Sequence, residues 1–225
     1  MLRRLISSTR QRTRLLSTVA PPVAFRGVWP IMATPFRTDE TVDLDGFAKS
    51  VKFMAEAGCN GCTIVGVLGE SNRMLDSERA ALIQTAVDSV KDLGRPFPIC
   101  VGTSHAGTAA TVGLSQMAQE LGAAAVMVTP TKEPAPAADD TLVELYARVA
   151  AGCPGLPIVL QDHPASTQVH MAPRLVARIA HEVAEVACTL LLLPFPRLRR
   201  RRRSGVGSAG ACVGSREWWS PRRQT

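Results

Sequence analysis

The chain has 225 residues and a formal net charge of +7, which is room for one sizeable domain. Residues 1–26 hold six arginines and no acid, and residues 189–225 hold nine arginines and one glutamate. Residues 27–188 hold eleven Lys+Arg against eighteen Asp+Glu. The basic excess therefore lies in the two ends around an acidic middle, and the overall charge says nothing about partners of the core.

The opening stretch, Met1 to Ser17, is rich in Arg and Ser. As a helix it sets Leu2, Leu5, Ile6 and Leu16 toward one side and arginines around much of the rest. That is the composition of a mitochondrial transit peptide, with a plastid one as the variant. Arg14-Leu15-Leu16-Ser17 resembles a matrix-protease site cut before Ser17. A disordered basic arm is the plainer alternative. No run of 18 apolar residues occurs, so no transmembrane helix is expected.

Beyond the leader, strands and helices alternate. Val28–Thr34 reads as an apolar strand. Leu44–Ala57 reads as a helix, with Leu44, Phe47, Val51 and Met54 at helical spacing and Gly58 as its stop. The next strand is Cys62–Val67 and the next helix Ser77–Val90. Phe97–Val101 is a strand, Thr108–Leu121 a helix and Ala124–Thr129 a strand. After a Pro-rich turn over 130–136 come the helix Thr141–Ala151, the strand Pro157–Gln161, the helix Ala172–His181 and a sixth strand, Val186–Leu193. Strands alternating with helices of 10–15 residues predict a parallel sheet with helical crossovers. No Gly-x-Gly-x-x-Gly follows the first strand, which argues against a dinucleotide-binding domain.

Six cysteines, Cys59, Cys62, Cys100, Cys153, Cys188 and Cys212, are scattered in or beside expected strands. They read as reduced, buried thiols. Cys59-Asn60-Gly61-Cys62 runs from a helix end to a strand start, the reverse of the order a redox motif needs. Beyond Thr189 the periodicity fades into Pro194-Phe195-Pro196, five consecutive arginines (Arg199–Arg203) and a Gly/Ser/Ala/Arg segment. This composition predicts disorder, and it is what translation in another frame or through an intron would produce.

The turn Val65-Gly66-Val67-Leu68-Gly69-Glu70-Ser71 follows Gly27-Val28-Trp29-Pro30-Ile31-Met32-Ala33-Thr34-Pro35-Phe36 by one helix and precedes three more strand–helix units. In that arrangement it resembles the pyruvate-handling loop of the dihydrodipicolinate synthase/N-acetylneuraminate lyase family. The resemblance implies a (β/α)8 TIM barrel, incomplete here, with about five βα units plus a sixth strand; a full barrel takes roughly 250 residues. It divides the chain into a transit peptide (1–26), a partial aldolase barrel (27–193) and a disordered Arg-rich tail (194–225). It also implies lyase chemistry through a Schiff base on a pyruvate-type 2-keto acid, no cofactor or metal, and a homo-oligomer. Nucleic acid is not an expected partner of the barrel.

Successive amides in a tight turn make an anion site, so Gly66, Val67, Leu68, Gly69 and Glu70, with Thr34, are the expected binders of the keto-acid carboxylate. The family turn usually carries two threonines where this chain has Val67 and Leu68, so the backbone donors remain and a hydroxyl relay does not. In Val159-Leu160-Gln161-Asp162-His163-Pro164-Ala165-Ser166-Thr167, Gln161 stands where the family places a proton-shuttling tyrosine, and Gln cannot ionise. Ser166 stands where synthases carry an arginine. Asp162 and His163 are the remaining acid–base candidates beside Gln161. Thr131 and Lys132 replace a further tyrosine pair, and Tyr146 reads as a packing residue. Schiff-base catalysis needs a desolvated lysine on the sixth strand. That position falls at Leu190, and no lysine follows Lys132. The chain as written is therefore expected to be inactive in imine formation. A sugar-acid dehydratase or 4-hydroxy-2-oxoglutarate aldolase of the same family remains open beside the synthase. So does a non-catalytic product whose arginine run binds anionic partners.

Overall fold

A computed structural model describes residues 23–130, 138–191 and 211–214, with Leu191 and the last four residues described by backbone alone. Residues 1–22 of the expected leader, the Pro-rich segment from Thr131 through Ala137, and the arginine run lie outside the described residues, while Phe25, within the expected leader bounds, is described. One sheet runs through the chain in the order β1-β2-β3-β4-β5-β6. Its strands are β1 (Cys62–Ile64), β2 (Ile99–Gly102), β3 (Ala125–Val128), β4 (Ile158–Asp162), β5 (Val186–Leu191) and β6 (Ala211–Gly214). The first five pair in parallel and in sequence order. The interposed helices are α1 (Leu44–Glu56), α2 (Asp76–Ser89), α3 (Thr108–Glu120), α4 (Asp139–Gly152), α5 (Pro164–Thr167) and α6 (Pro173–Glu182). This is an incomplete (β/α)8 barrel.

The helices form where the apolar period and the caps coincide. The Asp43 carboxylate caps α1 by accepting from the Gly46 amide at 3.1 Å, and Phe47, Val51 and Ala55 turn inward. Gly58, at φ +88°, ends the helix in the left-handed region that glycine reaches without strain. The second helix starts one residue earlier than its Ser77 suggests. Glu78 reaches back to accept from the Leu75 amide at 2.8 Å and closes that end.

Side-chain alternation along the strands builds two layers. Cys62, Ile64, Ile99, Val101, Val126, Val128, Ile158 and Leu160 face the helices in the main core. Cys100, Ala125, Met127, Val159, Cys188 and Leu190 fill the lumen, against which Phe25, Trp29 and Ile31 pack. Each fully buried aliphatic side chain in these layers contributes about 1.5–3 kcal/mol. Between Ile158 and Val159 the β4–β5 register slips by one. The extra residue, Ala187, reverses the alternation, so Val186 faces the helices while Cys188 and Leu190 face the lumen.

Four expectations are corrected. Val28–Thr34 makes no full strand. Met32 donates to Thr63 O at 2.8 Å and Thr63 to Pro30 O at 2.9 Å, leaving one bridge, Ile31↔Thr63. Pro30 has no N–H to extend the ladder. The strand expected sixth is therefore β5. Cys62–Val67 stops at Ile64 because Val65 turns to φ +56°. Within the tail, Ala211–Gly214 pairs antiparallel with β5. Finally, Cys59, Cys62, Cys100 and Cys153 are free thiols, but Cys188 is disulfide-bonded. Burial pushes the Cys62 and Cys100 thiols up to about 12, so neither is a nucleophile near neutral pH.

Candidate active site

The C-terminal ends of β1 to β4 surround a small cleft lined by Val65, Gly66, Val67, Ser71, Gly102, Ser104, Met127, Thr129 and Gln161. The turn after β1 forms its wall. Val65 (φ +56°) and Glu70 (φ +53°) bracket this turn in the left-handed region. For a β-branched residue such a φ is a true outlier, held only when the surroundings impose it. The surroundings here are the end of β2. A Cβ on Gly102 would stand 2.4 Å from the Val65 carbonyl oxygen and 2.9 Å from Gly66 Cα. Glycine at 102 thus lets the turn lie directly on the neighbouring strand.

The turn's hydrogen bonds divide its amides. Gly69 N–H donates to Gly66 O at 3.0 Å and Glu70 N–H to Val67 O at 3.2 Å. The N–H groups of Gly66, Val67 and Leu68 donate to no acceptor among the described residues. Of these three residues, Gly66 and Val67 line the cleft. Thr34, 6 % exposed, donates its hydroxyl proton to Gly69 O at 2.7 Å. It braces the turn and does not line the cleft. Leu68 is exposed, and Glu70 pairs with Arg73 at 3.2 Å on the open surface. Of the six expected carboxylate binders, Gly66 and Val67 line the cleft, Gly69 and Thr34 hold the turn's shape, and the Leu68 and Glu70 side chains point elsewhere.

On β4 the alternation separates the acid–base candidates. Gln161, 4 % exposed, lines the cleft. Asp162 follows on the face of Ile158 and Leu160, toward Tyr146 of α4. One of its buried oxygens, Oδ1, has no hydrogen-bond partner among the described residues. Burial raises the carboxyl above the ordinary aspartate range, while the charges of His170 and His163 pull it down. Tyr146 is fully buried and donates to Val128 O at 3.0 Å. Burial, and then the Asp162 charge, push its phenol upward. His163 Nδ1 stands 2.8 Å from Ser166 Oγ as α5 begins. Neither Asp162 nor His163 lines the cleft.

The sequence named strand ends but missed which residues on them turn inward. Ser71, Gly102, Ser104, Met127 and Thr129 are such residues. Ser104 Oγ accepts from the Thr129 amide at 2.9 Å, tying the β2 and β3 ends together. Period-two counting from the helix-facing Val101 and Val128 would have picked out Gly102 and Met127. Leu190 is 9 % exposed, pairs in register with Gln161 and shares the lumen cluster with Met127. Among the described residues no group of three His, Cys, Asp or Glu side chains could hold a metal. Among the described residues no helix is long and apolar enough to cross a membrane.

A parallel α/β barrel, incomplete here, with a tight turn lining a cleft at the C-terminal ends of its strands is the class that fold and site define. The sequence model of the Dihydrodipicolinate synthetase family matches residues 24–188, and the chain belongs to that family. It is 37 % identical over 164 residues to L-2-keto-3-deoxyarabonate dehydratase of Azospirillum brasilense, which covers 72 % of this chain and 52 % of that protein. It is 34 % identical over 161 residues to 4-hydroxy-tetrahydrodipicolinate synthase of Stenotrophomonas maltophilia, covering 70 % and 52 %. Among solved structures it resembles YagE, an E. coli K12 prophage protein of the dihydrodipicolinic acid synthase family in complex with pyruvate. That likeness has a TM-score of 0.67 at 28 % identity, over 73 % of this chain and 54 % of the other. The chain spans about half the length of the curated relatives it matches.

Proposed function

We propose that this chain carries the substrate-binding half of a lyase site for a pyruvate-type 2-keto acid, and that as written it binds the acid without forming an imine. The observation that carries the reading is the register of Leu190 with Gln161. It puts a lumen-facing leucine beside the cleft at the position where the family resemblance calls for lysine. Leucine has no lone pair, and no pH or neighbour supplies one. The unspent Gly66–Leu68 amides support carboxylate binding, and the pyruvate complex of the YagE structure agrees with it.

The cleft's polar side chains are Ser71, Ser104, Thr129 and Gln161, all neutral. That lining favours a hydroxylated sugar-acid substrate over one with a second carboxylate. The dehydratase reading therefore stands beside the synthase reading, as the Azospirillum relative does beside the Stenotrophomonas one. The reading includes a mitochondrial compartment, from the acid-free leader, and self-association, from the exposed apolar Val67, Leu68 and Leu75; sedimentation of a strictly monomeric chain would count against the latter.

Borohydride reduction in the presence of pyruvate, followed by peptide mapping, tests the chemistry. The expected result is saturable pyruvate binding by ligand-observed NMR with no trapped adduct. An adduct on Lys132 would overturn the inactive reading, and absence of binding would overturn the site.

A further inference from the structure

We propose that Arg79 is a positioning residue of the anion-binding turn: its buried guanidinium fixes Ser71 and supplies the positive charge that the cleft wall lacks. The inference rests on the 2-keto-acid reading above and adds to it the source of charge complementarity. Among the described residues no side chain lining the cleft is charged, so a charge behind the wall would add to what the backbone amides offer a carboxylate.

Arg79 sits in the first turn of α2 and is 8 % exposed. Arginine is almost never buried to that degree without a partner. One terminal nitrogen, Nη2, donates to the Ser71 carbonyl, and Ser71 is itself part of the cleft wall. Its Nε has no hydrogen-bond partner among the described residues. The Asp76 carboxylate stands 3.5 Å from that nitrogen, but its side chain is 81 % exposed, and an ion pair so open to water is worth little. The site is also the positive end of a helix, where a cation is locally unfavourable. Of the acids flanking Arg79 in sequence, Glu78 accepts from the Leu75 amide and Glu70 pairs with Arg73. A buried, weakly neutralised cation at the wrong end of a helix is not what stability selects. It is what an anion site needs, because charge behind a low-dielectric wall is poorly screened.

The test titrates the full chain and its variants with pyruvate and with pyruvamide, its neutral amide, by ligand-observed NMR. Arg79→Met is expected to weaken pyruvate binding by about tenfold or more while pyruvamide changes by less than about twofold. Arg79→Lys, which keeps the charge, is expected to stay within about threefold of the parent chain. Asp76→Asn removes the one carboxylate within 4.0 Å of the guanidinium among the described residues. It leaves the buried residue untouched, and is expected to tighten pyruvate by about twofold with pyruvamide unchanged. Arg148→Gln, on the exposed face of α4, is the control and should change neither ligand. Unaltered pyruvate affinity in Arg79→Met overturns the inference. So does an equal loss for pyruvate and pyruvamide, which would mean that Arg79 serves only the fold. Should Arg79→Met fail to fold, an Asp76→Asn chain that binds pyruvate unchanged overturns it instead. If the parent chain binds neither ligand, the 2-keto-acid reading itself is wrong.

Discussion

Replacing Gly102 by alanine is the sharpest perturbation of the cleft. The added Cβ would lie 2.4 Å from the Val65 carbonyl oxygen, 2.9 Å from Val65 C and 2.9 Å from Gly66 Cα. All three are backbone atoms, so no side chain can rotate away. The turn must retreat by roughly 0.5–1 Å to reach ordinary contact, at the cost of overpacking, about 1–3 kcal/mol. For a chain of this size that is a fall in Tm of roughly 3–10 °C. The same retreat displaces the unspent Gly66–Leu68 amides, and pyruvate binding is expected to weaken with it. Thermal unfolding and a pyruvate titration read the two effects. The control is Gly113→Ala, where nothing lies within 4 Å of the new Cβ. In mid-helix α3 that change is expected to stabilise by roughly 0.5–1 kcal/mol. A Gly102→Ala chain with parental Tm and parental pyruvate affinity would refute the claim that β2 holds the turn in its strained form.

Asp162 supplies a pH prediction. Its carboxyl is raised in the folded chain, chiefly by burial, so folding favours the protonated form. Its contribution to stability is full below the unfolded value of about 3.9 and is lost as pH rises through the higher folded value. Asp162→Asn should therefore be more stable than the parent at pH 7 and should flatten the stability profile above pH 4; a less stable variant at pH 7 refutes this. The leader supplies another. Deleting residues 1–26 from a reporter fusion should leave the reporter in the cytosol, and an undisturbed mitochondrial signal would contradict the transit-peptide reading.

Most of the sheet and helix order was legible because each element announces itself locally. The apolar period and Gly58 mark α1, and the short apolar runs mark β2, β3 and β4. What escaped was decided between elements. Val65 takes a left-handed turn although its β-branched side chain argues against it; the cause lies in Gly102, thirty-seven positions away. The facing of Leu190 depends on a register slip that no local pattern encodes. Asp162 looked catalytic because it follows Gln161, yet successive residues on a strand face opposite ways, and the adjacency itself placed it outside the cleft. The pairing of Ala211–Gly214 with β5 is non-local in the same sense.

The site separates binding from covalent chemistry along the chain. Among the described residues, every one that lines the cleft lies between Val65 and Gln161, so the turn and its supports come from the first four strands. What the family resemblance asks of the next strand is a single amine, and at that register stands Leu190. A leucine in the lumen gains the burial energy of an aliphatic side chain, about 1.5–3 kcal/mol. A lysine there would have to be desolvated and held neutral. The two residues thus pull stability and reactivity in opposite directions at one position. On the reading proposed above, a chain with the strained Val65 turn, its Gly102 contact and the buried Arg79 beside a leucine keeps the costly parts of binding. On that reading it lacks the group that reacts, and with Val67, Leu68 and Gln161 it also lacks the hydroxyl and phenol groups that the family resemblance assigns to proton transfer. If the proposed reading holds, loss of imine chemistry does not imply loss of the pocket, and a pyruvate titration tests this chain more directly than a turnover assay.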